Sequence, residues 1–174
     1  FARKISNRIF FMYDGTIYEE GSPKDIFEHP KREKTRRFIQ RLSTLSYRID
    51  STDFDMEPII EELQKYGEKL LIEAERLTKL TLSMEEICIN NIAAESDNPD
   101  ILVKVEYSEK LDVLTMIIKY NGEVFDIKEA KSSKVFLSLL EEPTTTYEQK
   151  DLVEDKEGFR HQIMMNFRWQ EEQK

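Results

Sequence analysis

Apolar and polar positions change their period twice along this chain. Residues Arg8-Ile9-Phe10-Phe11-Met12 form an apolar run, Asp14-Gly15 a turn, and Thr16-Ile17-Tyr18 a second short run, which together give a β-hairpin signal. Gly21-Ser22-Pro23 stops the hairpin and supplies a Ser cap with Pro at the first helical position. A short helix is expected from Lys24 to Glu28, halted by Pro30, and then a basic helix from Lys31 to Leu42 with Phe38, Ile39 and Leu42 on its apolar side. The Ser/Thr/Asp-rich stretch Ser43 to Asp55 reads as a linker. Beyond it Ile59, Ile60, Leu63, Tyr66, Leu70, Leu71, Ala74 and Leu77 recur at helical spacing, predicting one long amphipathic helix from about Met56. Asp55 is placed to cap it, Pro58 is tolerated in its first turn, and Gly67 costs it about 1 kcal/mol relative to Ala. A second helix, roughly Leu80 to Ala94, carries Leu82, Ile87, Ile89 and Ile92.

After the Asn98-Pro99 turn the period becomes two. Ile101, Val103, Val105 and Tyr107 alternate with polar residues, Ser108-Glu109-Lys110 turns the chain, and Leu111 to Ile118 forms the next run before Asn121-Gly122. Ser133 to Leu140 is a candidate short helix. Phe159, Ile163, Met165, Phe167 and Trp169 alternate again after Gly158. Helices first and strands afterwards predict an α+β two-layer sandwich, helices on a mostly antiparallel sheet, behind the hairpin and its helices.

Composition narrows the function classes. With 39% hydrophobic and 35% charged residues, the 174-residue chain suits a soluble globular protein of one ordinary domain, or of a small one plus an appended piece. No apolar run is long enough to cross a bilayer and no signal peptide opens the sequence, so direct membrane insertion is not expected. The net charge of −9 argues against nucleic acid as a partner. Lys31, Arg32, Lys34, Arg36 and Arg37 nevertheless cluster, as a solvated helix face or a contact for a membrane subunit. Cys88 is the one cysteine, which leaves no intrachain disulfide, and it reads as a small core residue. His29 and His161 have no ligand-like spacing, and no metal site is expected; His29 falls at a helix end and His161 in a strand-like run.

The first segment, about residues 1–42, resembles the C-terminal end of the ATP-binding subunit of bacterial ABC importers of the polar amino-acid class. The resemblance rests on Phe1-Ala2, Arg8 to Met12, Asp14-Gly15, Glu19 to Pro23, Ile26 to Pro30 and Thr35 to Phe38, in that order. It begins after the family's Walker B acid and switch histidine, and no Gly-x-x-x-x-Gly-Lys-Ser/Thr loop occurs in the chain. The chain is therefore expected to be a C-terminal fragment that cannot itself hydrolyse ATP. ATP and magnesium would belong to the parent subunit, at the cytoplasmic face of the cell membrane. Its partners there would be permease subunits and a second ATP-binding subunit.

The run Leu82-Ser83-Met84-Glu85-Glu86-Ile87-Cys88-Ile89-Asn90-Asn91-Ile92 resembles the N-box helix of the histidine-kinase-like ATPases, particularly anti-sigma-factor serine kinases. That resemblance extends over roughly residues 55–170 and implies a degenerate domain of that kind over residues 56–174. It implies a nucleotide site in which Glu86 is the base or water positioner and Asn90 the magnesium ligand, with Asn121-Gly122 and Phe125-Asp126 as the next boxes. Tyr120 stands where the family has its adenine-binding Asp, Ala93 and Ala94 replace the basic residue after the Asn, and no Gly-x-Gly lid precedes Gly158. Glu86, Asn90, Asn121 and Gly122 are thus expected to be a vestigial nucleotide site, with no catalytic residue. Three functions remain open at this point: a regulatory or interaction module of an amino-acid importer, an active nucleotide-binding kinase, and a dimerisation element.

Overall fold

The structure is a computed structural model that describes residues 5–124, 126–128, 132–153 and 155–169. Phe1-Ala2 and Phe125, quoted in the two resemblances, lie outside the described residues. The chain divides into two compact units, residues 1–43 with 107–112, and residues 44–106 with 113–174.

In the first unit β1 (Ile9–Tyr13) and β2 (Thr16–Gly21) form the expected antiparallel hairpin. Asp14 and Gly15 both take positive φ, 50° and 72°, which is what matches a two-residue loop to the twist of its strands. Ser22 caps α1 (Pro23–Phe27) through a reciprocal pair with Asp25. Helix α2 covers Glu33–Gln40, shorter than Lys31 to Leu42, because Arg41 turns left-handed at φ 50° and Leu42 starts a strand. Its N-terminus has no side-chain cap of its own. Glu19 of β2 supplies the cap from a distance, accepting from Lys31 N at 2.8 Å and Arg32 N at 3.1 Å. Two members of the basic cluster are engaged with the hairpin as well as solvent. The Arg32 guanidinium donates to Tyr18 O and lies over the Tyr18 ring, and Lys34 Nζ sits 3.4 Å from the Tyr13 centroid. Phe38 packs on Phe11 with centroids 5.4 Å apart, yet it stays 69% exposed.

The second unit is α+β. Its sheet, in the order β3-β4-β5-β7-β6, is built from β3 (Leu42–Ile49), β4 (Ile101–Ser108), β5 (Val113–Tyr120), β6 (Thr145–Asp151) and β7 (His161–Arg168). Pairs β5–β7 and β6–β7 are antiparallel by register, and β4–β5 by its short turn. Arg48 grips Asp100 at 2.8 and 2.9 Å, while Gln40 O accepts from Ser108 Oγ at 3.0 Å, so β3 also runs against β4. Strand β3 corrects the linker reading of 43–55. Leu42, Leu45, Tyr47 and Ile49 were masked by their hydroxyl and charged neighbours. Strand β6 was not foreseen either, since an edge strand reading Thr-Thr-Tyr-Glu-Gln-Lys-Asp lacks apolar alternation.

One sheet face is buried under helices. The single long helix expected from Met56 is two: α3 (Glu57–Leu70) and α4 (Ala74–Met84). Leu71 caps α3 at φ 55°, and Ile72 N donates back to Gly67 O at 2.9 Å, which closes the helix end. Asp55 does bond at the start, accepting from Glu57 N at 2.9 Å. Helix α4 continues without a loop as a π-helix (Glu85–Ile92) and a short 3-10 turn (Ala93–Glu95). The Asn91 amide donates to Glu86 O at 2.7 Å, inside the ladder, an intrusion that accompanies the widened winding. Leu80, Met84, Ile87, Cys88 and Ile92 make its buried stripe, and burial of Cys88 pushes its thiol well above the usual range. Helix α5 (Lys134–Leu140), capped by Ser133, adds Phe136 and Leu139. No helix among the described residues is long and apolar enough to cross a membrane.

Candidate functional site

The register of the last three strands sets residues of the buried face opposite one another in rungs. Leu114, Phe167 and Thr145 form one rung, then Met116, Met165 and Tyr147, then Ile118, Ile163 and Gln149. The next rung is Tyr120, His161 and Asp151. On β5 and β7 this face is apolar through the core, with Thr145 and Gln149 contributed by β6, and it ends in a phenol, an imidazole and a carboxylate. His161 Nδ1 lies 2.8 Å from Asp151 Oδ1, and its ring is 5.2 Å from the ring of Tyr120, which is 1% exposed. A pocket of about 270 Å³ opens at this end of the sheet, lined by Tyr120, Val124, Asp126, Lys150, Asp151 and His161, with Gln149 and Gln162.

Local bonding holds one wall of this pocket. Gln149 Oε1 accepts from Ile127 N at 3.1 Å, and Ile127 is fully buried. Asp126 Oδ1 accepts from Lys128 N at 2.8 Å. Asn121 Oδ1 accepts from Arg160 N at 3.1 Å, joining the end of β5 to the start of β7. On the outer sheet face, Lys119 bonds Asp155 at 2.6 Å and Glu157 at 2.7 Å, and Lys104 bonds Glu157 at 2.9 Å. Burial alone would lower the Lys119 ammonium; the two carboxylates outweigh it and raise it. The Lys119 and Lys104 ammonium groups in turn hold the Glu157 carboxyl below its usual range.

The four residues of the expected nucleotide site are placed as follows. Glu86 is buried in the π-helix, and its Oε1 accepts from Ser133 N at 2.8 Å at the start of α5. Asn90 lies in the same helix on an exposed position. Asn121 carries the Arg160 contact, and Gly122 is exposed at φ 113° with open space beside it. None of the four lines the pocket at Tyr120 and His161. The sequence placed His161 in a strand-like run, and the register of β7 puts it on the inner face. Its partner Asp151 was not, because β6 carries no period to reveal it. Among the described residues no group of three His, Cys, Asp or Glu side chains is arranged to hold a metal.

Comparison with known proteins places this chain beside ATP-binding proteins of amino-acid ABC importers, over part of its length. It is 38% identical over 60 residues to the L-cystine import ATP-binding protein TcyN of Bacillus subtilis (strain 168), a match covering 34% of this chain and 23% of that protein. To the methionine import ATP-binding protein MetN 3 of Bacillus cereus it is 28% identical over 130 residues, 74% of this chain and 35% of that protein. To MetN of Bacillus subtilis (strain 168) it is 39% identical over 57 residues, 29% of this chain and 17% of that protein. The chain therefore spans roughly a sixth to a third of the length of these relatives. No family model matches it. The 130-residue match exceeds the first 43 residues, and most of it lies beyond them.

Proposed function

We propose that this chain is the C-terminal region of the ATP-binding subunit of a bacterial amino-acid importer. The second unit acts as a regulatory or interaction module and has no ATPase activity of its own. The observation that carries this reading is the match to a methionine import ATP-binding protein, which is too long to stop at the first unit. The first unit adds support through its surface: Phe10, Met12, Tyr13, Ile17 and Phe38 are all at least 46% exposed, an apolar area suited to packing inside a larger domain. The parent subunit would bind ATP and magnesium, pair with a second ATP-binding subunit, and dock on permease subunits at the cytoplasmic face of the membrane.

In this proposal the second unit is a histidine-kinase-like ATPase domain that has lost its nucleotide chemistry. Helices over an antiparallel sheet, with Glu86 and Asn90 on one continuous helical run, support the kinase-like descent. The lost chemistry has a physical reason. A base or water positioner needs a carboxylate facing substrate, whereas the Glu86 carboxylate holds the Ser133 amide and so fixes the start of α5. Calorimetric titration of the chain with Mg-ATP should give no heat at millimolar nucleotide, and an Asn90→Ala variant should behave identically. Micromolar binding that disappears in the variant would instead establish a working kinase-like site. Crosslinking in native membranes should recover the chain with permease subunits, and recovery free of any transporter would overturn the importer assignment.

A further inference from the structure

We infer that Asn121-Gly122 is a self-modification site, where the chain closes a succinimide, releases ammonia and passes to aspartate and isoaspartate. The step requires no enzyme, and it stands independently of the importer reading.

The reaction needs a side-chain amide, water, and a following residue that offers its backbone nitrogen without obstruction. Among the six asparagines, Asn121 alone precedes a glycine. The others precede Arg8, Asn91, Ile92, Pro99 and Phe167, whose side chains crowd the attack, and Pro99 has no N–H at all. Gly122 is exposed at φ 113°, and a Cβ placed on it would meet no atom within 4 Å. Its peptide therefore has room to swing toward the side chain before it.

The fold adds what the dipeptide lacks. Asn121 Oδ1 accepts from Arg160 N at 3.1 Å. That donor faces the oxygen on which negative charge builds as Gly122 N attacks Asn121 Cγ. The leaving nitrogen, Nδ2, has no bonding partner among the described residues. Asn91 and Asn166 are the reverse case, since their Nδ2 groups are tied to Glu86 O at 2.7 Å and Thr146 Oγ1 at 3.3 Å.

The chain and water supply every atom. Gly122 N bonds to Asn121 Cγ and gives up its proton; the Cγ–Nδ2 bond breaks, and Nδ2 takes up a proton and departs as ammonia. Water then opens the imide, at Cγ to leave aspartate or at the backbone carbonyl to leave isoaspartate. Nothing is oxidised or reduced. Either product adds a negative charge. Isoaspartate also routes the main chain through the former side chain, lengthened by a methylene. The hold on Arg160 is then lost where β5 ends and β7 begins, beside the rung of Tyr120 and His161.

The test is incubation of the 174-residue chain at neutral pH and physiological temperature, followed by peptide mass mapping and site-resolved labelling with an isoaspartyl methyltransferase. Asn121 should be the one asparagine that loses ammonia. It should do so about tenfold faster in the folded chain than in a free peptide of residues 119–124, because of the Arg160 donor. Oxyanion donors evolved for the task give roughly a hundredfold or more, but Arg160 N is shared with Tyr120 O at 3.3 Å. Asn121→Gln, which must close a larger and less favoured ring, should abolish the signal at this position. In the isoaspartyl form the Arg160 amide should exchange about tenfold faster, whereas Asn121→Asp keeps an acceptor and should exchange like the unmodified chain. Asn121 unconverted after weeks would overturn the inference. So would conversion no faster in the folded chain than in the peptide, or Arg160 exchange unchanged in the isoaspartyl form.

Discussion

Glu19 concentrates much of what organises the first unit. Its carboxylate is 9% exposed and takes two amides that helix α2 leaves open, a service normally given by a residue beside the helix. Burial pushes this carboxyl up, but the Thr35 hydroxyl beside it, the Lys31 and Arg32 amides and the Arg32 charge together carry it below the ordinary 4.5. A carboxyl lowered by folding stabilises fully above its unfolded value, and that contribution is lost as pH falls through the lower folded value. Hydrogen exchange at the Lys31 and Arg32 amides should therefore accelerate below about pH 4.5, the ordinary value. Glu19→Gln keeps one acceptor and drops the charge, so it should cost about 1 kcal/mol at neutral pH. The variant should also lose the acid dependence of those amides. Unchanged acid dependence in it would assign the effect to another carboxyl.

At the scale of elements, Gly67 looks in sequence like a weakness in α3, but it is the point where α4 comes close. A Cβ built there overlaps Leu77 Cδ1 and stands 3.2 Å from Leu77 Cγ. Replacing Gly by Ala inside a helix ordinarily gains about 1 kcal/mol. Here the overlap should reverse the sign, so Gly67→Ala should destabilise by about 1 kcal/mol in urea unfolding. In a Leu77→Ala background the same change should become stabilising by about 1 kcal/mol, and the pair would then be coupled by about 2 kcal/mol. Additive effects would refute the close approach. The same pair explains what the sequence conceals. Leu70, Leu71, Ala74 and Leu77 keep a helical period across a break, because a chain that turns back onto itself can keep burying apolar residues at similar intervals. The hairpin, the Ser22 cap, β4, β5, β7 and α5 were legible because local chemistry or alternation defines them. Strands β3 and β6 were not, since sheet edges tolerate polar residues. The candidate pocket was half legible: His161 falls in a strand-like run, but its partner is fixed only by the register of β6.

For the whole molecule, burial is distributed very unevenly between the two units. Of the buried apolar side chains among the described residues, only Ile26 and Tyr107 belong to the first unit; the remainder, from Ile49 to Phe167, belong to the second. Stability grows with the apolar surface removed from water, at roughly 25 cal/mol per Å². A hairpin with two short helices is marginal on that account, and aromatic contacts such as Phe11 with Phe38 and Lys34 over Tyr13 add only about 1 kcal/mol each. The second unit has a continuous core under α4 and its π-helical extension. Unfolding should consequently proceed in two steps, with the first unit opening at lower denaturant and the second following cooperatively. Hydrogen exchange read along the chain should show weak protection in β1, β2 and α2 and strong protection in β5 and β7. If the first unit packs inside a larger domain in the parent subunit, its protection should rise there to that of a core element, while β5 and β7 change little. Equal protection of both units in the isolated chain would mean that the first unit needs no larger domain, and would remove the support its apolar surface lends to the importer reading.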